Sequence, residues 1–456
     1  MGSAAFLNEA VNQLAAAYLS RKQQELRRRI PHDRYPQELQ KVRMRLADAN
    51  VFGVDLNPIA TELAEVSLWL NAIYGETDDT GRPLPARVPW FGYQLFTGNS
   101  LIGARPQVFR VAQLHAPRKI KQAGKSVPNP ECWLNAEPRR VTLDAPRQND
   151  EIYHFLLPDE GMCDYANKAV KTYHDAELKQ IKDWKKGLIG RFADVEIRRL
   201  LQLSARIDAL WREHAAQLAR DRARTEDPLP VWPDTRAGTV TTRASKDATR
   251  KAGMLSEDGD LATPYRRLKL VMDYWCGLWF WPLDKAATLP SRTQWLSEVG
   301  AILDGNIMDI PTTDQVQTEL DLAPEPAKVE QQALVPEIQG TLFDDLPGQR
   351  ALAAASGSRT LHDRYGELRI KRLREYFPRV VQVERLAERY RFFHWELAFA
   401  DLFRWHRPAP GGNAAEAERG GFDLILGNPP WIKVEWEEKG VLGEADPKIA
   451  IRKMSA

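Results

Sequence analysis

The chain has 456 residues, and its 64 Lys and Arg against 62 Asp and Glu give a formal net charge of +2. This balance excludes a strongly basic nucleic-acid coat protein and an acidic tail protein, but it leaves room for a local basic surface. The 43% of hydrophobic residues suffices to bury real cores. At roughly 150 residues per domain, the length corresponds to about three domains.

Two further features of the composition bear on location. The longest apolar run, Val271 to Trp281, is interrupted by Asp273 and is too short for a bilayer core of about 30 Å. The cysteines stand far apart at Cys132, Cys163 and Cys276, which argues against a zinc site and a disulfide framework. We therefore expect no contact with a membrane and a reducing, cytoplasmic setting.

The first hundred residues alternate between helical and strand patterns. Apolar residues recur at helical spacing over 4–29, and a β-rich run over 51–55 closes on Asp55. Residues 59–74 then predict a helix, and 93–96 predict a second strand. This alternation is typical of a parallel α/β sheet.

The middle of the chain differs from this pattern. Residues 105–150 show no sustained period, whereas helices are predicted over 165–220, 265–281 and 361–391. Polar composition predicts flexible stretches over about 221–260 and 308–360. We therefore expect a large and mainly helical region.

The pattern returns to a strand near the end of the chain. Residues 421–426 form an apolar run typical of a buried strand, and the next residues are Gly427, Asn428, Pro429, Pro430 and Trp431. Two prolines cannot continue a strand and hold a stiff loop at its carboxyl end. Ligands bind at that edge in open α/β sheets.

Together these segments resemble a known family, the S-adenosylmethionine-dependent DNA adenine-N6 methyltransferases. Within that family, the sequence is most similar to the long enzymes of restriction-modification and phage-defence systems of the BREX or DISARM-like type. Residues 393–399 also resemble a segment of those long enzymes. The resemblance to the family rests on four motifs in the family's order, at residues 1–7, 53–58, 98–101 and 428–431. It implies an incomplete Rossmann-like class I methyltransferase sheet with a large helical insertion. It also implies S-adenosylmethionine as cofactor, and double-stranded DNA and other defence-system subunits as partners.

The resemblance also implies a cofactor site. Asp55, at a strand end, is placed to accept hydrogen bonds from two ribose hydroxyls. The backbone at Gly2 and Ser3 approaches the methionine moiety, and Asn99 lies near the cofactor adenine. The full set of implied cofactor-binding residues is Gly2, Ser3, Asp55, Leu56, Asn57 and Asn99.

The implied catalytic residues are Asn428, Pro429, Pro430 and Trp431. The exocyclic amine of adenine is a poor nucleophile because its lone pair is delocalised into the ring. The Asn428 side-chain oxygen and the Pro429 carbonyl would accept both amine hydrogens, which localises the lone pair. Trp431 would stack on an adenine flipped out of the duplex, a contact worth roughly 1–3 kcal/mol. This chemistry requires no metal.

The departures from the family pattern predict a fragment of a longer enzyme. The family's first motif normally begins with Asp-Pro, which would stand just before Met1, and Ala4 replaces the second glycine of Gly-x-Gly. We expect the chain alone to be inactive or poorly folded. The expected division is 1–104 for the cofactor motifs, 105–400 for the insertion and 401–456 for the fourth strand and catalytic loop.

One alternative is a Mg²⁺-dependent DNA nuclease. Pro158 and Asp159, followed by Glu177-Leu178-Lys179, resemble the Pro-Asp and Glu-x-Lys pattern in which carboxylates hold the metal. Glu177 lies in a helical pattern, however, whereas that nuclease core places Glu-x-Lys on a strand. His394 lies amid aromatic residues, where a histidine is more often structural than bound to a metal.

A second alternative is a non-catalytic module that binds DNA or the bacterial sliding clamp. Gln339, Leu342 and Phe343 resemble the Gln-x-x-Leu-Phe peptides that dock into that clamp. The two apolar side chains would fill a pocket while the surrounding stretch supplies reach. A loop that folds Leu342 and Phe343 back onto its own domain is the competing interpretation.

Overall fold

The structure of the protein is a computed structural model. It describes residues 2–75, 82–83, 89–122, 124–142, 145–165, 168–227, 229–234, 241–256, 259–305, 361–363, 365–403 and 420–427. In this part of the chain, no helix has both the length and the apolar composition that a bilayer crossing needs.

The amino-terminal part contains the strand, helix and strand unit that the sequence predicts. Its elements are α1 (Ala5–Leu26), α2 (Tyr35–Asn50), β1 (Gly53–Asp55), α3 (Pro58–Ala72) and β2 (Leu95–Thr97). β1 and β2 are parallel, with Asp55 opposite Thr97. α3 begins where predicted because Pro58 suits the first helical turn and the Asn57 side chain accepts from the amide of Ile59 at 3.0 Å.

A small antiparallel part follows, over the region in which the sequence shows no sustained period. One sheet has the order β6-β3-β7, and β4 and β5 form a separate hairpin. The bounds are β3 (Gln107–Arg110), α4 (Val111–His115), β4 (Lys119–Gln122), β5 (Lys125–Pro128), β6 (Arg139–Arg140) and β7 (Glu151–Tyr153). The alternation of apolar and polar residues does not reveal these strands, because each is only two to four residues long.

The remainder is helical, as predicted, and holds the largest core. Its helices are α5 (Lys168–Tyr173), α6 (Asp175–Ile189), α7 (Asp194–Thr225), α8 (Arg243–Ala252), α9 (Pro264–Gly277), α10 (Arg292–Asp304), α11 (Ile370–Tyr376), α12 (Pro378–Tyr390), α13 (Trp395–Ala398) and α14 (Ala400–Phe403). Short 3-10 helices span His154–Leu156 and Leu283–Thr288. The core gathers fully buried side chains of α7, α9 and α10, among them Trp211, Val271 and Ile302.

Regular structure extends into the stretch over 221–260 that the sequence predicts to be flexible. α7 continues to Thr225, and α8 occupies 243–252. Lys246 of α8 is buried and lies 2.9 Å from Asp227. Paired charges of this kind let polar residues be buried.

The predicted strand over 421–426 is wrong for this structure. Residues 421–427 are irregular, and Leu424 and Ile425 are 60% and 78% exposed. In the described part of the chain, β1 and β2 pair only with each other. No described strand lies beside 421–427 to share its backbone hydrogen bonds, so the apolar run does not form a strand.

Several predictions concern residues outside the described ones. They are the flexible stretch over 308–360, the clamp-binding residues Gln339, Leu342 and Phe343, and the catalytic residues Asn428, Pro429, Pro430 and Trp431. Each of these remains a prediction from the sequence.

Candidate cofactor and catalytic site

The carboxylate of Asp55 is the centre of the candidate cofactor site. It stands at the carboxyl end of β1, where one oxygen accepts from the amide of Gly2 at 2.7 Å and the other from the amide of Asn57 at 2.9 Å. Partial burial raises the pKa of Asp55, but hydrogen bonds from the amino terminus of the chain, from the Asn57 amide and from the Gly2 amide outweigh it. The pKa therefore lies below its usual value, and the group is an anionic acceptor at neutral pH.

The turns on either side of Asp55 have the backbone forms expected of close-approach loops. Gly2 has φ of +56°, and a Cβ built there would meet nothing within 4 Å. Ala4 also has a positive φ of 64°, in the left-handed region that favours glycine. Ser3 and Leu56 are exposed in these turns, so the structure brings Gly2, Asp55 and Asn57 together, with Ser3 and Leu56 beside them.

Asn99 joins the same edge of the sheet. The amide of Gly98 donates to the backbone carbonyl of Asp55 at 2.8 Å, so the chain leaves β2 directly beside the end of β1. The Asn99 side-chain oxygen accepts from the amide of Leu101 at 3.1 Å, which closes the turn. The Asn99 amide donates to the carbonyl of Arg391 at 2.6 Å. All the predicted cofactor residues except Asn99 therefore lie at α1 or β1, and Asn99 lies at the adjacent strand end.

The turn from Gly98 to Gly103 is held by a segment that comes far later in the chain. The amide of Phe393 donates to the carbonyl of Ile102 at 2.8 Å. A Cβ built on Gly98 would lie 2.6 Å from the Phe393 ring, and one built on Gly103 would lie 2.0 Å from the Phe393 carbonyl oxygen. Both positions therefore require glycine for close packing.

A buried hydrogen-bonded pair fixes this segment. His394 accepts at Nδ1 from the amide of Ala104 at 3.0 Å, and its Nε2 donates to Asp273 at 3.0 Å. The other oxygen of Asp273 accepts from Lys269 at 2.8 Å. Burial raises the pKa of Asp273, but Lys269 and His394 outweigh it and leave the pKa below its ordinary value. The structural interpretation of His394 is confirmed.

Sequence reasoning missed the contacts that join these supporting residues. Ala104 and His394 are 290 positions apart, and Asp273 and His394 are 121 apart. No short-range spacing signals such a pair. The interruption of an apolar run by Asp273 was the one visible sign, because a buried carboxylate needs a partner.

Aromatic rings line the sheet below the site. Phe399 contacts Phe52 at 5.5 Å and Phe96 at 5.2 Å between ring centroids, both edge to face. Phe422 lies 5.3 Å from Phe399 and 5.5 Å from Phe52. The chain that enters the predicted catalytic loop is therefore anchored at Phe422 against β1, although Leu424 and Ile425 beyond it are exposed.

The residues present fit a cofactor that carries a ribose diol. Asp55 is a carboxylate at a strand end, the type of acceptor that binds ribose hydroxyls in dinucleotide-binding folds, and it also accepts from the Gly2 and Asn57 amides. The space around Gly2 is open, and its positive φ turns the backbone toward Asp55. These features suit S-adenosylmethionine, whose ribose would approach Asp55.

The nuclease pattern gains nothing from the structure. Glu177 and Lys179 lie on α6, a helix, and Asp159 accepts from the amide of Gly161 within its own turn at 2.7 Å. Among the described residues, no group of three or more His, Cys, Asp or Glu side chains is placed to hold a metal ion.

Comparison with known families supports a methyltransferase. Residues 274–450 match the family model described as Eco57I restriction-modification methylase. The match covers less than half of the chain, and it includes the His394 segment and the predicted Asn428 to Trp431 loop but not Gly2 to Asn99. It supports a restriction-modification methyltransferase and, with it, a DNA methyltransferase role. Neither the comparison with curated proteins nor that with solved structures found a match.

Proposed function

We propose that the chain carries the cofactor and catalytic motifs of a DNA adenine-N6 methyltransferase of a restriction-modification or phage-defence system. The proposed core is an incomplete Rossmann-like class I sheet in which β1 and β2 are neighbouring strands. The observation that carries the proposal is the shared strand edge. Asp55 and Asn99 end adjacent parallel strands, and the Gly2 amide reaches the Asp55 carboxylate.

In this proposal the residues of the first hundred positions hold the cofactor. Asp55 accepts from the ribose hydroxyls, the backbone at Gly2 and Ser3 faces the methionine moiety, and Asn99 lies by the adenine. Leu56 and Asn57 form the turn that shapes the site, and Asn57 also caps α3. S-adenosylmethionine, when bound, supplies an electrophilic methyl group on sulfur.

The loop from Asn428 to Trp431 acts on the target base. The Asn428 side-chain oxygen and the Pro429 carbonyl accept the two amine hydrogens of adenine and aim its lone pair. Pro430 stiffens the loop, and Trp431 stacks on the flipped base. The match over 274–450 supports this assignment because it includes the loop.

The activity is tested by expressing the full product of the gene and measuring methylated nucleosides in digested DNA by mass spectrometry. We expect N6-methyladenine to accumulate with the wild type and to vanish with Asn428→Ala. The 456-residue chain assayed beside it checks the expectation that the chain alone is inactive. N6-methyladenine made equally by Asn428→Ala would refute the catalytic assignment, and methylation of cytosine alone would refute the adenine assignment.

The cofactor site is tested by calorimetric titration of the chain with S-adenosylmethionine. A hydrogen bond to a charged group contributes about 1.5–3 kcal/mol, so Asp55→Ala is expected to raise Kd about tenfold or more. Asp183→Ala is the matched control because Asp183 is an exposed carboxylate of α6 that pairs with Lys186 at 3.2 Å. An unchanged Kd for Asp55→Ala would refute the assignment.

A further inference from the structure

The hairpin β4–β5, residues 119–128, is a two-stranded ribbon that stands apart from the other strands. Its register pairs Lys119 with Pro128 and Gln122 with Lys125. In the described part of the chain no third strand joins it, so both of its edges are open. Every residue of β4 is exposed, and in β5 only Val127 is partly covered.

The ribbon carries positive charge alone. Residues 117–130 contain Arg118, Lys119, Lys121 and Lys125 and no Asp or Glu. Arg118 pairs with Glu160, but the side chains of the three lysines have no hydrogen bond or ion pair with any described residue. A surface with unopposed cations attracts polyanions, because each lysine that contacts a phosphate releases a condensed counterion.

The base of the ribbon is held to the domain. The Asn129 side chain donates to the carbonyl of Pro117 at 2.8 Å, and its amide donates to the carbonyl of Arg118 at 2.9 Å. The Asn135 side chain donates to that same carbonyl of Arg118 at 3.0 Å. An isolated two-stranded hairpin is marginal in water, so these bonds and the Arg118–Glu160 pair keep the ribbon in place.

The dimensions of the ribbon match a groove of duplex DNA. Two strands lie about 4.8 Å apart, and four residues of each span about 13 Å. The major groove of B-DNA is about 12 Å wide and admits a two-stranded ribbon. We propose that residues 118–128 form a DNA-binding ribbon whose lysines contact phosphates along the major groove. The inference rests on the proposed function, which makes duplex DNA the substrate.

The test is DNA binding by the full chain, measured by fluorescence anisotropy with a labelled 30-base-pair duplex over a series of salt concentrations. The ribbon variant replaces Lys119, Lys121 and Lys125 by Gln. The matched control replaces the α6 lysines by Gln: Lys179, Lys182 and Lys186. Both remove three exposed positive charges, but α6 also carries acidic residues on its surface.

We expect the ribbon variant to raise Kd at least about tenfold near 0.1 M salt and to reduce the salt slope by about three, one per lost phosphate contact. The α6 variant should bind like the wild type. A ribbon variant with Arg at the same three positions should also bind like the wild type, which excludes misfolding as the cause. Wild-type binding by the Gln ribbon variant, or equal losses in both Gln variants, would overturn the proposal.

The outcome separates the ribbon from the methyltransferase because binding is measured without S-adenosylmethionine. If DNA binding depends on the ribbon but no N6-methyladenine is made, the proposed function is refuted and the ribbon proposal stands. If N6-methyladenine is made but DNA binding does not depend on the ribbon, the ribbon proposal is refuted and the proposed function stands. Competition experiments test whether DNA is the ligand. If duplex RNA or an acidic protein displaces the labelled DNA more strongly than unlabelled DNA does, the assignment of DNA as the ligand is overturned.

Discussion

His214 of α7 gives the sharpest prediction about stability. Its side chain is fully buried, and Nε2 donates to the carbonyl of Leu397 at 2.8 Å. Nδ1 has no hydrogen-bond partner among the described residues, and the ring lies 5.3 Å from that of Tyr265. A proton added at Nδ1 would therefore be buried without an acceptor, so burial lowers the pKa of His214 to about 4.

The sign follows from comparing the two states. The ordinary pKa of histidine is 6.5, so between pH 6.5 and about 4 the unfolded chain binds a proton at His214 that the folded protein does not. The contribution of neutral, buried His214 to the free energy of unfolding is fully present above pH 6.5 and is lost as the pH falls toward 4. The complete loss is about 3 kcal/mol at roughly 1.4 kcal/mol per pKa unit, of which about 1.4 kcal/mol is lost by pH 5.5.

The assay is urea unfolding of wild type and His214→Phe at pH 7.5 and pH 5.5, followed by tryptophan fluorescence. At pH 7.5 the variant should be less stable by about 1–3 kcal/mol, because the Leu397 carbonyl loses its donor. By pH 5.5 the difference should shrink by about 1.4 kcal/mol, since phenylalanine does not titrate. Burial also lowers the pKa of His154 to about 4, but His154 is present in both proteins and cancels. A wild-type to His214→Phe difference that is equal at the two pH values would refute the reasoning.

Two further predictions concern the support of the candidate site. Gly103→Ala should lower the free energy of unfolding by about 2–3 kcal/mol, because the new Cβ would lie 2.0 Å from the Phe393 carbonyl oxygen. Gly187→Ala, on a helix with open space, should instead stabilise by about 0.5–1 kcal/mol, and equal melting temperatures for the two variants would contradict the packing argument. Asp273→Ala should destabilise by about 3–5 kcal/mol, because it removes the acceptor of the buried His394 Nε2 and the ion pair with Lys269. Asp183→Ala, which breaks an exposed ion pair, should cost about 1 kcal/mol or less, and a similarly small loss for Asp273→Ala would show that its network is not stabilising.

Local signals in the sequence determined which elements could be predicted. α1, α3, α7 and α9 follow from apolar periodicity, and the start of α3 follows from Asn57 and Pro58. Short strands such as β6 could not be predicted, since two residues have no period and pair only through distant partners. The run over 421–426 shows the converse, because an apolar composition predicts a strand only where a neighbouring strand is available.

The candidate site likewise combines residues that the sequence predicts with supporting contacts that it does not. Asp55, Asn57 and Asn99 could be predicted because each lies at a strand end or a helix start that the sequence marks. Their supports could not, because the Gly103 turn is held by backbone and side-chain contacts to Phe393 and His394 that only the folded chain creates.

These supports also explain why the helical region and the cofactor motifs depend on each other. Arg222 of α7 binds Asp401 with oxygens at 2.5 and 3.2 Å, and its guanidinium lies 5.2 Å from the Phe52 ring beside β1. His214, also on α7, donates a hydrogen bond to the carbonyl of Leu397. A two-stranded parallel sheet is too small to be stable by itself, so the contacts from α7 and the Phe399 cluster supply the burial that keeps β1 and β2 aligned. The helical region is therefore part of the scaffold that sets the distance from Asp55 to Asn99, and changes in its core should disturb the geometry of the candidate cofactor site even though they touch none of its residues.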